Sequence, residues 1–324
     1  MKKLQLLDFV KGFSIFTIVL YHLIVLFSNY LPKVIVLSSG LGGTGVHVFI
    51  LCSGFGLCAS QLVRPLGFFE FIKKRFLKVY VPYIIVIFIS FCLPFLYQGN
   101  NKILALLSHV FLFKMFDSEL TNSFGSHFWF VSMIFQFYFV FPFLFKLMLK
   151  INRNYFFLIS LTLSFLWAII VAFLGKSELR AWNSFFLQYL WEFVLGMILA
   201  LIYFENQKLP IPGNKALVIA AIFGLGIFGL MGIKGGVYKL FNDVPALVGY
   251  LSFTLLLYNL GIRFIINFFT YTSTISYEWY LTHMLVFIFV YQLFHLEFFY
   301  LLLLILSLLL SYCIAILYHK ILKM

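Results

Sequence analysis

Residues 8–28 read DFVKGFSIFTIVLYHLIVLFS, and this stretch decides the fold class. As a helix rising 1.5 Å per residue it is about 31 Å long, enough to cross a hydrocarbon core of about 30 Å. Its only full charges, Asp8 and Lys11, sit in its first turn. Comparable apolar segments recur at 42–61, 79–97, 128–149, 155–174, 185–204, 215–233, 245–261, 275–294 and 297–318. Composition agrees, because 64% of the 324 residues are hydrophobic and 10% are charged, against about 25% charged in a soluble domain. The 23 Lys and Arg with 10 Asp and Glu are too few to cover a water-facing surface. The expectation is an all-α polytopic integral membrane protein, a bundle of about ten transmembrane helices. With no Pro/Ser-rich linker or internal repeat, residues 1–324 are expected to form a single domain with no separate soluble domain.

A net charge of +13 in a soluble protein would suggest nucleic acid. Here the basic residues fall in the short gaps between apolar segments, where they set topology and meet lipid headgroups. No soluble surface interleaves basic and aromatic residues, so nucleic acid is excluded as a partner, and the partner is the lipid bilayer. With the N-terminus inside, 15 basic residues fall on the inner side and 7 on the outer, which predicts cytoplasmic N- and C-termini. Lys11 interrupts what would be the core of a signal peptide, so the first helix is expected to stay uncleaved. Cys52, Cys58, Cys92 and Cys313 lie in apolar segments without CxxC spacing and read as buried thiols; no metal is expected. The one long gap, 98–127, contains Ile103–Phe113, too short to span and expected to lie in the interface or re-enter the bundle. The glycines of Gly40–Val46 and Ser53–Gly56 fit neither a P-loop nor a dinucleotide fingerprint; they predict close helix packing.

Ionisable side chains inside spans cost about 2.5–3.5 kcal/mol each on insertion scales, so they tend to face a polar cavity. Lys11 and His22 are eleven residues apart, about 20° beyond three full turns, and so share a face about 16 Å apart along the axis. Ser14 lies close to the same stripe, and Asp8 can pair with Lys11. One reading is structural, with Lys11 snorkelling to the headgroups and His22 packed against a neighbouring helix. The other is a polar site, favoured by His47, Ser53, Gln136, Gln188, Glu192, Glu278 and His283 on several further spans. Glu192 is the only carboxylate well inside the sixth span and shares a face with Gln188; it reads either as functional or as a bridge between helices. The run Lys73-Lys74-Arg75-Phe76-Leu77-Lys78 is both a positive-inside signal and a candidate phosphate clamp, with Arg75 and Lys78 one turn apart.

These residues together resemble the membrane-bound acyltransferase-3 family. Leu7-Asp8-Phe9-Val10-Lys11-Gly12 through Tyr21-His22 resembles its opening helix, a basic residue followed by ten residues and a histidine. Phe49–Phe55 is similar to its Ser-Gly-Phe segment, and Arg75–Pro82 to its Arg-x-x-Arg-x-x-Pro region with Lys78 for the second arginine. His127-Phe128-Trp129-Phe130 with Gln136-Phe137-Tyr138, Trp191-Glu192-Phe193 with Gly196, and Tyr280-Leu281-Thr282-His283 complete the match. Ile134-Phe135 stand where many members carry acidic residues.

The resemblance implies a plasma- or inner-membrane O-acyltransferase that moves an acyl group, most often acetyl, from acetyl-CoA (acyl-CoA) to a hydroxyl of a cell-surface glycan or glycolipid. Lys74, Arg75 and Lys78 are then expected to hold the donor phosphates. His22 is the expected general base or transient acyl carrier, with Lys11 at the donor thioester or its polar arm. Glu192 is a candidate to orient His22, as a triad carboxylate does. His47, His127, Trp129, Tyr280 and His283 are expected on the acceptor side. Two other classes fit the hydrophobicity. A secondary transporter or flippase for an envelope glycan precursor would show inverted repeats and paired broken helices, which the sequence lacks. A non-catalytic scaffold leaves His22 and Glu192 unexplained.

Overall fold

A computed structural model describes residues 4–93, 95–96, 99, 101–293 and 300–324. Lys2, Lys3 and the segment limits expected at 97, 98, 294 and 297 lie outside them. Every regular element among the described residues is helical, as hydrocarbon demands of a chain whose backbone groups must be satisfied within the segment.

The helix α1 is Gln5–Leu26, and α2 (Lys33–Gly43) and α3 (Gly45–Val63) follow as one rod interrupted at Thr44. A short α4 (Phe68–Arg75) passes through a π-helical turn, Phe76–Tyr80, into α5 (Val81–Cys92), with Pro82 in its first turn, where no amide hydrogen is required. Then come α6 (Lys102–Val110), α7 (Trp129–Met148), α8 (Arg153–Phe173) and the single turn α9 (Arg180–Asn183). The chain ends with α10 (Leu190–Asn206), α11 (Asn214–Lys234), α12 (Asp243–Asn259), α13 (Arg263–Thr274), α14 (Ser276–Leu293) and α15 (Tyr300–Ile321).

Among the described residues, seven helical segments are long and apolar enough to cross a membrane: α1, α2 with α3, α4 with α5, 126–148, α8, α11 and α15. The other three expected spans are also helical, as α10, α12 and α14. They are shorter or more polar because they carry buried groups, Glu192 in α10, Asp243 in α12 and His283 in α14, that face protein rather than lipid. The protein is a polytopic all-α membrane protein.

Small residues set the packing. A Cβ added to Gly54 of α3 would collide with the carbonyl oxygen of Phe193, and one added to Gly196 of α10 with that of Leu51. The two backbones therefore touch through paired glycines, and this contact delivers His47 and Glu192 to one another. Gly12 of α1 meets the Phe269 carbonyl of α13 in the same way, as expected where helices associate without a hydrophobic drive. At the end of the bundle that carries Lys73–Lys78, Tyr318 donates to the Pro82 carbonyl at 2.7 Å and His319 Nδ1 meets Glu278 Oε1 at 2.8 Å. The end of α15 is thereby fixed beside the starts of α5 and α14.

The long gap, expected to lie in the interface or re-enter the bundle, packs against α5 and the π turn before it, where Tyr80 donates to the Val110 carbonyl at 2.7 Å. Asn101 caps α6 by accepting from the Leu104 amide at 2.8 Å, and the chain beyond buries Met115, Leu120 and Phe124 before reaching α7.

A membrane cavity with two histidine centres

One cavity of about 970 Å³ joins the two ends of the bundle. Lys11, Arg75, Lys78, Glu278 and His319 line its basic end, His22, His127 and Tyr280 its middle, and His47, Trp129, Arg180, Tyr189 and Asp243 its far end. Lys74 is exposed and does not line it. His283 and Glu192 are fully buried and stand behind the wall.

The middle centre is a chain of hydrogen bonds whose direction is fixed by its last member. His283 Nδ1 lies 3.0 Å from the Trp279 carbonyl oxygen, which can only accept, so Nδ1 carries the proton. His283 Nε2, 2.9 Å from His22 Nδ1, is then the bare nitrogen of a neutral ring and must accept from His22. His22 is left with an unprotonated Nε2 on a ring that lines the cavity. The two rings stack with centroids 5.1 Å apart, and His127 lies 4.7 Å from His283 and 5.9 Å from His22.

His127 is 3% exposed, and neither of its ring nitrogens has a partner among the described residues. Its position is set by the backbone. Gly125 has φ +134°, and a Cβ there would come within 2.7 Å of the His127 ring, so the turn accepts only glycine. Lys114 Nζ donates to the carbonyls of Ser123 at 2.8 Å and Gly125 at 2.7 Å and lies 5.8 Å from the Phe128 ring centre. Tyr280 donates to the His127 carbonyl at 2.7 Å. His109 Nε2 donates to Ser123 O at 3.0 Å while Nδ1 accepts from Tyr83 at 2.6 Å, which makes its ring neutral. Burial and the nearby Lys114 hold His109 well below the ordinary imidazole range, and burial alone pushes the Lys114 ammonium well below the usual lysine value.

The far centre is ionic. His47 Nδ1 donates to Glu192 Oε1 at 2.7 Å, and its Nε2 faces Asp243 Oδ1 at 3.9 Å. Gln188 Nε2 donates to Asp243 Oδ2 at 2.6 Å. Ligand atoms of His47, Glu192 and Asp243 lie within 4.8 Å of one another. Glu192 therefore partners His47 and makes no bond to His22. Neither Asp243 nor Arg180 was singled out by the sequence reading. Asp243 falls two residues before the span expected at 245–261, and Arg180 falls in a gap, where a charge reads as a topology signal.

Trp129, expected on the acceptor side, lines the far end of the cavity and carries a cation. The Arg180 guanidinium lies 5.1 Å over its ring, and the ring stacks on Tyr189 at 6.3 Å. At the basic end, Lys11, Arg75 and Lys78 have no carboxylate within 4.0 Å among the described residues, since Glu278 takes His319. Arg75 Nε is buried without a partner among the described residues, and its guanidinium lies 5.4 Å from the Phe71 ring centre. Arg75 closes α4, and Lys78 lies within the π turn Phe76–Tyr80 that follows it; such turns are frequent at functional sites.

Fold and site together define a multi-pass membrane protein with several histidines gathered on and behind the wall of one internal cavity. The sequence profile of the family described as an acyltransferase domain matches residues 4–319. The chain belongs to the acyltransferase-3 family and is a membrane acyltransferase. Comparison with curated proteins and with solved structures returns no match.

Proposed function

We propose that the protein moves an acyl group, acetyl in the first instance, from cytoplasmic acyl-CoA to a hydroxyl of an envelope glycan or glycolipid at the plasma (inner) membrane, with both termini cytoplasmic. The observation that carries this reading is the Trp279 carbonyl–His283–His22 chain, which leaves a bare imidazole nitrogen in a cavity reached from both ends.

The unpaired cations Lys11, Arg75 and Lys78 suit the phosphates of a nucleotide-bearing donor. Lys78 binds as a point charge, where an arginine would offer a planar fork. The acceptor enters from the far end. Its hydroxyl oxygen attacks the thioester carbonyl carbon while His22 Nε2 takes the hydroxyl proton. The C–S bond then breaks, and the proton passes from His22 to the departing thiolate, giving the O-acyl ester and free CoA. General-base help of this kind is worth about 10²–10⁴-fold. His283 supports the imidazolium that forms on His22. His127, with one N–H to give and no partner among the described residues, is placed to donate to the oxyanion.

Mass spectrometry of surface polysaccharides from cells with and without the protein tests this reading. Acyl esters lost with the protein and restored by wild type support it; accumulation of unmodified precursor on one side of the membrane, with esterification unchanged, supports transport instead. Reversing the charges of Arg75 and Lys78 raises the KM for acyl-CoA more than that for the acceptor. An unchanged donor KM removes the phosphate role.

A further inference from the structure

Among the described residues, the far end of the cavity contains one cation without a carboxylate partner. Lys239, which also lines the cavity, is bound by Glu178 at 3.0 and 3.2 Å. Asp243 is held by Gln188 at 2.6 Å and faces His47, and Glu192 is spent on His47 at 2.7 Å. Arg180 has no carboxylate within 4.0 Å among the described residues. Among the described residues its one side-chain hydrogen bond is to Ser184 Oγ at 3.3 Å, so most of its five donors are open there. The guanidinium is nevertheless held in place, lying 5.1 Å over Trp129 while Trp129 stacks on Tyr189. A stacked guanidinium keeps its edge free for a bidentate anion, and it lines the same cavity as His22. On that cavity's wall, Asp243 Oδ1 makes no hydrogen bond among the described residues, its ionic partner being His47 Nε2 at 3.9 Å, which leaves an acceptor for a hydroxyl.

We propose that Arg180, stacked on Trp129, is an acceptor-side anion subsite, so that the glycan esterified by this protein carries a carboxylate or phosphate close to the hydroxyl that receives the acyl group. This rests on the acyl-transfer reading and narrows its acceptor to acidic sugars or phosphodiester-linked polyols. Arg180 binds the anionic group, Asp243 Oδ1 accepts from one hydroxyl, and another meets His22. A neutral sugar leaves the guanidinium unpaired and gains nothing from it.

The test is equilibrium binding to the full chain in nanodiscs, measured separately from turnover. The carboxylate probe is trigalacturonate against its neutral methyl ester, and the phosphate probe is a glycerol-phosphate trimer against glycerol. The wild type binds one of the charged probes about tenfold or more tightly than its neutral partner, as a charge-assisted bidentate bond implies. The arm that shows the preference identifies the anion. Arg180→Gln removes the preference, Arg180→Lys restores part of it, and Lys239→Gln, which disrupts a satisfied pair, leaves it intact. Neutral and charged probes bound equally by the wild type overturn the proposal, as does an equal loss of preference in Lys239→Gln, which would mark general attraction. In parallel, labelled acetyl-CoA is supplied with each probe. Esterification of neutral sugars without any Arg180 effect leaves the acyl-transfer reading standing and removes the subsite. Charged-probe binding that depends on Arg180, with no esterification of any sugar, keeps the subsite and removes the glycan acyl-transfer reading.

Discussion

The cavity holds two histidine centres built in opposite ways. At His22 the partners are another imidazole and, behind it, a backbone carbonyl, so each nitrogen's role is dictated from outside and one lone pair is left over. At His47 both nitrogens face carboxylates, so the ring is engaged by the protein. The same side chain thus serves as a base in one place and as an ionic tie between α3, α10 and α12 in the other. What separates them is which helix the local packing presents. A second histidine stands behind His22, and paired glycines bring Glu192 against His47.

The contrast breaks most sharply by double substitution at the first centre. His22→Ala is expected to lower kcat by about 10²–10⁴-fold, and adding His283→Ala then costs almost nothing more, because the second ring acts only through the first. Additive losses in steady-state kinetics would show His283 working independently. At the second centre the larger effect falls on stability. Glu192→Ala strands His47 among buried groups and should cost about 3–5 kcal/mol, as removal of one partner of a buried pair does, read as a fall in the thermal midpoint in detergent. A Glu192→Ala protein with unchanged midpoint but no activity would place Glu192 with His22 after all. His283→Ala alone should lower kcat by about 10–100-fold, the worth of a hydrogen bond to a group that becomes charged, while acceptor KM stays within about twofold.

The smallest expected effect is on pH. His109 is held neutral by donating to Ser123 and accepting from Tyr83, with its proton affinity lowered by burial. The unfolded segment therefore binds more protons than the folded one below the ordinary imidazole value of 6.5. Its contribution to stability is present above that value and is lost as pH falls through it. The protection factors of residues 102–128, exchange rates corrected for the intrinsic pH dependence, should fall below about pH 6.5 in the wild type and lose this dependence in His109→Gln. Protection factors that stay flat with pH in both would show that the ring carries no such load.

Much of this was legible along the chain. The spans followed from apolar length, and the pairing of Lys11 with His22 on one cavity-facing stripe followed from helical angle alone. The run ending at Lys78 supplied two cavity cations, Arg75 and Lys78, but Lys74 turned away from the cavity because adjacent residues on a helix point to different faces. Partners were not legible. Periodicity assigns a residue to a face of its own helix and says nothing of which helix lies opposite, so Glu192 reads as a partner for His22 whereas the fold gives it to His47. Lys114 and Arg180 read as loop charges, and only the packing of 102–128 against the bundle and the stacking on Trp129 give them their roles. Asp243 stood just outside a predicted span, where an acidic residue ordinarily favours a helix N-terminus.

The central claim is that His22 takes the acceptor's proton within this cavity. Its most direct test is single-turnover release of CoA from labelled acetyl-CoA by purified protein in liposomes, supplied with acceptor glycan, comparing wild type with His22→Ala. The wild type should release CoA in step with formation of the O-acetyl ester, and the variant, inserted to the same level, should form ester at no more than about one hundredth of that rate. Ester formation by His22→Ala at the wild-type rate would contradict the account.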